Sequence, residues 1–380
     1  MLAVGLLEIA VRTLHLVPDR FWEPDPVLGV RLIPGRRGWW TQEDREFLVP
    51  VQINRHGLRD VEREFTKPAG TFRILVLGDS FVEAMHVPLE ATFPRLLEQR
   101  LNADGGQPVE VVAAGVSGYG TASELLYFER TGKRYQPDLV VLAFYPGNDV
   151  KNNSPVLEDT FKPVYASDGT LERIAGEWRE RSSSKRPRLL SYVYLRQMLL
   201  RHPQLAQSLV RHGWLRADAL RTAPQRNGIP VDYGVYAPVP DPQWQEAWTH
   251  TEHLLDQLRE AVSASGARLV VAVLSTREQV YPDSWQQILK SHPRMQEQRW
   301  DLDAPQDHIE AWCAEHTVPC VVLGPTFRAA AARGGEYLHY PHEGHWTVAG
   351  HRLAAAVLRD FLEQHHLVPT RQQGGSNEVH

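Results

Sequence analysis

The chain has 380 residues, 42% of them hydrophobic and 23% charged, and a formal net charge of −5. This is an ordinary globular composition, long enough for a large core, and it excludes a disordered chain or a multi-span membrane protein. With no basic excess there is no electrostatic footprint for nucleic acid, and no nucleic-acid partner is expected.

Residues 1–18, "MLAVGLLEIAVRTLHLVP", form an apolar run broken by Glu8 and Arg12. Spanning a bilayer takes about 20 clean residues, and no small-residue cleavage site follows the run. The segment reads as a short amphipathic helix or as the tail of a signal anchor, and membrane association would pass through it. Residues 19–70 are rich in Pro, Gly and charge, with alternating pieces such as "FLVPVQIN". They read as an irregular β-containing extension.

From 71 the period changes. "FRILVLG" is a continuous apolar strand and "TFPRLLEQRLN" has helical spacing. "VEVVAAGV", "TASELLYFERTGKR" and "DLVVLAFY" then give strand, helix, strand. Strands buried on both faces and alternating with helices imply parallel βαβ units. Residues 151–240 interrupt the alternation. They contain a loop, "RSSSKRPR", and a helical pattern over 187–210, and read as a helical cap insertion. The pattern resumes over 241–367 with a long helix at 243–264, the strand "ARLVVAVLS", a helix near 304–316, the strand "PCVVLG" and a last helix in "TVAGHRLAAAVLRDFLEQ". Residues 368–380 are polar and read as a disordered tail. The expected fold is α/β: a three-layer α/β/α sandwich on a five-stranded parallel sheet.

Cys313 and Cys320 bracket a helix end turning into a strand. They are expected as two buried thiols; a disulfide would serve only in an oxidising compartment. Aromatic residues cluster at 236–248 and 281–300. Core packing is their default use, with flat surfaces for a carbohydrate or acyl group as the alternative.

Ligands of such sheets bind beyond the carboxyl ends of the strands. Four stretches lie there: Gly78-Asp79-Ser80, then Gly115, Gly118 and Gly120 in "AAGVSGYGT", then Gly147-Asn148-Asp149, and finally His339, His342, His345 and His351 in "HYPHEGHWTVAGH". Singly, each is a turn or a tight βα loop. Together they supply a hydroxyl at Ser80, a histidine base, and oxyanion donors from the glycine loop and the Asn148 amide. Acyl transfer from an ester needs that set. His351 sits inside the last helix and reads as a packing or capping residue. His345, just before the N-cap candidate Thr347, lies in the loop facing the strand ends. A metal held by His339, His342 and His345 with Glu343 or Asp149 is the alternative, but it leaves the oxyanion donors without a role. No metal or cofactor is expected.

In this order the blocks resemble the SGNH (GDSL-type) hydrolase superfamily, from about 72 to 365 with the insertion uncovered. The resemblance implies the flavodoxin-like sandwich. It also implies Ser80 as nucleophile, His345 as general base, and an oxyanion hole of the Ser80 and Gly118 N–H groups and the Asn148 side chain. Two positions depart from the common pattern. Ala113 stands where many members have Asn, and His342 stands where they have the orienting Asp. Glu343, two residues before His345, is the nearby acid, an acid-x-His spacing similar to that of alginate O-acetylation proteins. The stretch "VQINRHGLRD" looks like the leader of bacterial envelope-associated members, which implies the periplasm or envelope; the cytoplasm is the alternative if residues 1–18 are only an amphipathic helix. The expected activity is a serine esterase acting on a short acyl, in first place acetyl, ester of a small alcohol or glycan, without cofactor. An O-acyltransferase on an envelope polysaccharide and a non-catalytic glycan-binding protein are the alternatives.

Overall fold

The structure, a computed structural model, describes residues 2–42, 44–103, 105–157, 162–165, 171–175, 189–212, 214, 225–226 and 228–369. The expected loop at 181–188 and the polar tail from 370 onward lie outside them.

Helix α1 (Leu2–Thr13) is followed by two antiparallel hairpins, β1 (Trp22–Asp25) with β2 (Gly29–Leu32) and β3 (Arg37–Thr41) with β4 (Leu48–Gln52). Alternation in β4 turns Val49 and Val51 inward, where they join Phe21, Leu32 and Ile53 in the core. The extension is therefore part of one packed body, because its apolar face has no other surface to bury against.

The sandwich begins with β5 (Phe72–Gly78), α2 (Ser80–Glu83), α3 (Phe93–Asn102), β6 (Val109–Gly115), α4 (Thr121–Arg130), β7 (Leu139–Phe144) and α5 (Asp149–Asn152). The insertion follows, with the hairpin β8 (Lys162–Tyr165) and β9 (Leu171–Ala175), helices α6 (Leu190–Leu200) and α7 (Pro203–Arg211), and the short pair β10 (Gln225–Arg226) and β11 (Ile229–Pro230). The chain then runs through α8 (Pro242–Ala264), β12 (Arg268–Val273), α9 (Arg277–Val280), α10 (Pro282–Ser291), α11 (Ala304–Glu315), β13 (Cys320–Val322), α12 (Gly324–Ala332) and α13 (Val348–Gln364).

The central sheet is parallel throughout, in the order β13-β12-β7-β5-β6. Leu75, Leu77, Leu142 and Val271 face one core, with Leu125, Leu254, Leu258 and Ile309 from α4, α8 and α11. Ile74, Val76, Val141 and Ala272 face the other, with Leu97, Phe327, Ala354 and Leu358 from α3, α12 and α13. This is the expected three-layer sandwich. The chain goes from β5 out to β6 and then back across to β7. The crevice where the order reverses therefore lies at the carboxyl ends of β5 and β7.

Two expectations change in detail. The helical pattern over 187–210 is two helices, because Pro203 supplies no N–H to continue α6 and instead opens α7. The insertion also carries two small hairpins and is not helical throughout. Of the aromatic clusters, Trp244, Trp248, Trp285 and Tyr236 pack in the core, and Tyr236 also lines a pocket at the carboxyl end of β7. Cys313 and Cys320 are free thiols, the first buried and the second half-buried. No described helix is long and apolar enough to cross a membrane. Helix α1 packs on the insertion, its Glu8 carboxylate accepting from the Leu190 N–H (3.1 Å) and the Ser191 N–H (2.8 Å) at the start of α6. That places negative charge where the first N–H groups of α6 have no helical partner.

Candidate active site

β5 ends at Gly78, and Asp79 turns the chain into α2, its carboxylate accepting from the Phe81 N–H at 2.9 Å. Ser80 thus opens α2 just beyond the strand. Gly78 pairs with Gly115 across the strands. A Cβ on Gly115 would lie 2.5 Å from Val82 Cβ, so only glycine lets the Ser80 turn pack this closely on β6.

His345 comes from the far end of the chain on a tight loop. The Gly344 N–H donates to Tyr340 O (2.9 Å) and the Tyr340 N–H to His345 O (2.8 Å). The next residue, Trp346, is fully buried and donates Nε1–H to Ser275 Oγ (3.2 Å). Thr347 then caps α13. Fixed in this way, His345 places Nε2 2.7 Å from Ser80 Oγ and Nδ1 2.7 Å from both oxygens of Glu343. The Glu343 carboxylate also accepts from the His345 backbone N–H at 2.9 Å. Gly344 lies at φ +92°. This left-handed conformation folds the acid back onto a base only two residues away.

A second histidine that the sequence reading did not single out completes the group. His86 Nε2 lies 3.2 Å from Glu343 Oε1, and its ring stacks on that of His345 with centroids 4.0 Å apart and planes 18° apart. Phe81 flanks the same His345 ring at 4.7 Å. With the carboxylate as acceptor, His86 is the donor. Burial and the neighbouring His345 pull its pKa down to about 4, so it is neutral at ordinary pH. Burial works against charge on Glu343, but His345 and His86 outweigh it and hold the carboxyl well below its ordinary range. Burial also opposes charge on His345, yet Glu343, with Asp79 and Glu83 behind it, raises its pKa above 6.5. A neutral imidazole with a carboxylate on one nitrogen and a hydroxyl on the other can accept the hydroxyl proton and carry the charge that follows.

Asn148 stands at the start of α5, and its Nδ2 donates to Asp79 Oδ2 at 2.6 Å. One amide hydrogen is thereby used to aim the group, and the other has no partner among the described residues. Gly118 lies in the loop between β6 and α4, with open space where a Cβ would stand. The Asn152 amide donates to its carbonyl at 3.3 Å, and Ser117 beside it bonds to the buried Glu83. Glu83 also accepts from Trp22 Nε1 at 2.9 Å. The glycine loop, the Ser80 turn and the N-terminal extension are therefore tied at one carboxylate.

"VQINRHGLRD" has a defined use. The buried Arg59 guanidinium donates to the carbonyls of Glu83 (3.0 Å), Ala84 and Val87 (2.6 Å), the loop that carries His86. Asp60 accepts from the Ala113 N–H at 3.1 Å. Ala113 itself is a buried strand residue whose side chain supplies no polar group.

The other histidines lie elsewhere. His339 is fully buried, its Nε2 3.2 Å from Ser275 O. The His342 N–H meets the Glu46 carboxylate, and His351 accepts from the Phe93 N–H at 3.2 Å, a packing and capping part as expected. Asp149 is buried and accepts from the Tyr145 N–H. The alternative metal set of His339, His342 and His345 with Glu343 or Asp149 is thus not gathered among the described residues. His86, Glu343 and His345 do bring ligand atoms within 4.8 Å of one another, but both His345 nitrogens are already engaged, by Glu343 and Ser80.

A model of the GDSL-like lipase/acylhydrolase family matches residues 76–248, and a model described as SGNH hydrolase-like domain, acetyltransferase AlgX, matches residues 238–378. No curated protein sequence matches the chain significantly. Among solved structures, it is similar to the acetyl xylan esterase AlAXEase, at 12% identity and TM-score 0.41 over 76% of this chain and 98% of that one. It is also similar to the esterase EstA from Pseudoalteromonas sp., at 11% identity and TM-score 0.39 over 78% and 99%. A two-domain esterase (CEX) active on acetylated mannans gives 12% and 0.40 over 80% and 52%.

Proposed function

We propose, from the premise that this chain belongs to the SGNH (GDSL-type) hydrolase family and is a serine hydrolase, that it cleaves a short-acyl, in first place acetyl, ester on a carbohydrate through an acyl-enzyme. Ser80 Oγ attacks the ester carbonyl while His345 Nε2 takes its proton. Glu343 holds Nδ1–H, and so fixes the tautomer that leaves Nε2 free to accept. Negative charge on the carbonyl oxygen is met by the N–H groups of Ser80 and Gly118 and the free amide hydrogen of Asn148. His345 returns the proton to the departing alcohol. Water, deprotonated by the same histidine, then releases the acid and restores Ser80.

The observation that carries this reading is the run of contacts Ser80–His345–Glu343, each 2.7 Å. Covalent labelling by a fluorophosphonate, together with p-nitrophenyl acetate hydrolysis, tests it. Ser80→Ala should abolish the label and most of the turnover while the fold persists, leaving only the residual rate that oxyanion donors supply. Near-normal turnover in that variant would refute the assignment.

The match of residues 238–378 to an acetyltransferase domain favours one second reading. A sugar hydroxyl would replace water in the second step, through the same residues. Acetyl release measured against transfer to an added glycan separates the two. The location that fits either reading is the bacterial envelope, on the resemblance of the "VQINRHGLRD" leader.

A further inference from the structure

Beside Asn148, at the carboxyl end of β7, lies a pocket of about 230 Å³ that the chemistry above does not use. It shares Asn148 with the site and is lined also by Tyr145 and Gly147 from the same strand end, Asp232, Tyr233 and Tyr236 from the insertion and Glu278 from α9. We propose that this pocket is the subsite for the alcohol side of the ester, and that it takes a single uncharged sugar ring in preference to a uronate or a long acyl chain. The inference rests on the esterase reading and names the substrate class of that site.

The size favours one ring. Pockets for drug-sized ligands run to roughly 300–1,000 Å³, so this one is too small for several sugar units or a long chain. Its lining includes no Leu, Ile, Val, Met or Phe side chain, which leaves an acyl chain little aliphatic surface to bury against. Aromatic rings offer flat faces to the C–H side of a sugar while their hydroxyls address its edge. Burial raises the Tyr233 phenol to about 12, so it remains a donor at any working pH; the Tyr236 hydroxyl already donates to Thr276 Oγ1 (3.0 Å), so that residue offers its ring.

Charge sets the class. Lys151 is the one cation in the lining, and it is ion-paired with Asp232. Glu278 has no hydrogen-bond or ion-pair partner among the described residues. The nearby Arg277 guanidinium is turned to the Pro341 carbonyl. The lining thus carries one net negative charge and an acceptor carboxylate suited to a pair of vicinal hydroxyls. A sugar carboxylate would enter against that charge, without a free cation to meet it.

Kinetics of the full chain on three probes test this: acetylated xylo-oligosaccharide, acetylated mannuronate oligomers and p-nitrophenyl acetate. Wild type should prefer the xylo-oligosaccharide to the mannuronate at least tenfold in kcat/KM. Glu278→Gln and Tyr233→Ala should each lower the ratio of kcat/KM for xylo-oligosaccharide over p-nitrophenyl acetate about tenfold, mainly through KM. Glu278→Lys should shift preference toward the mannuronate. An unchanged ratio in both first variants, or a wild-type preference for mannuronate, overturns the proposal. Should the esterase reading itself fail, with neither labelling nor acetate release, binding of unacetylated xylo-oligosaccharide by calorimetry still decides the subsite. Binding weakened by Glu278→Gln supports it, and no binding to wild type overturns it.

Discussion

His345 must be neutral to accept a proton, and its pKa lies above 6.5 because the Glu343 carboxylate outweighs burial. The kcat/KM profile should therefore rise with pH on a limb centred above 6.5. Glu343→Gln removes the charge that favours the imidazolium, so the limb should move to lower pH. Turnover should fall roughly 10²–10⁴-fold as the orienting carboxylate is lost. A profile identical to wild type would mean that Glu343 takes no part. His86→Phe keeps a ring against His345 but removes the donor to Glu343. Relieved of that bond, the carboxylate holds the His345 proton more strongly, so here the limb should move up. Loss of the fixed carboxylate position should cost about tenfold in kcat. Opposite limb shifts in the two variants separate a positioning role from simple destabilisation. Asn148→Ala should lower kcat by about 10²–10³-fold. If it only lowered the melting temperature, with activity per folded molecule intact, Asn148 would be a turn residue.

Among elements, the loop of residues 83–87 has the most dependents. It carries Glu83, which ties the glycine loop to Trp22, and His86, which meets Glu343. Ala84 lies in the left-handed region at φ +51°, a conformation that a residue with a Cβ keeps only when its surroundings hold it. Arg59 holds it, through the three carbonyls it reaches from the extension. Arg59→Met fills much of the same space and removes the guanidinium from all three carbonyls; Ala84 O keeps the Val87 N–H at 3.3 Å, and each buried carbonyl left unsatisfied costs about 1–3 kcal/mol. The urea midpoint should fall, and kcat should fall with it in protein that is still folded, because His86 loses its support. A loss of stability with kcat per folded molecule unchanged would detach the extension from the site.

For the whole molecule, buried acids set how stability depends on pH. Burial pushes Glu83 to about 7 and Asp60 to about 6, against 4.5 and 3.8 in the unfolded chain. Asp79, Glu124 and Asp149 are also raised, again by burial. Each disfavours the fold once it must ionise, so stability falls as pH rises from about 4 to about 7. His345, raised above 6.5, adds stability below that value that is lost as pH passes its folded pKa. Glu343 acts in the other direction: its contribution is present above 4.5 and lost as pH falls. His86, His339 and His351, kept neutral by burial, offset part of the fall set by the buried acids below about pH 6.5, where the unfolded histidines bind protons that the folded ones do not; above that the offset ends, and the melting temperature should drop as pH rises toward 8. A melting temperature still rising at pH 8 would contradict these assignments, and Glu83→Gln should flatten the fall above pH 6.

The sheet was legible in the sequence because each central strand is buried on both faces. "FRILVLG" and "DLVVLAFY" carry a charge only near their starts, Arg73 and Asp138, and are otherwise unbroken apolar runs; the glycines and Asn-Asp pair that follow them mark the strand ends. Ser80, Asn148 and His345 were legible for the same reason, since strand ends in chain order fix which loops share an edge. Glu343 could be named from its spacing, but its reach depends on the backbone angle at Gly344. His86 and Arg59 had no local signal. Their positions come from ring stacking and from carbonyls turned inward by one loop, contacts between segments remote in the chain. The split of the 187–210 pattern at Pro203 was present in the sequence as a proline, while the docking of α1 through Glu8 onto α6 required both helices in place. Periodicity and turn chemistry are properties of neighbouring residues and so are written along the chain. The supports around His345 and Glu343, the pocket wall and its charge arise where distant segments exclude water together, and only the tertiary structure decides those.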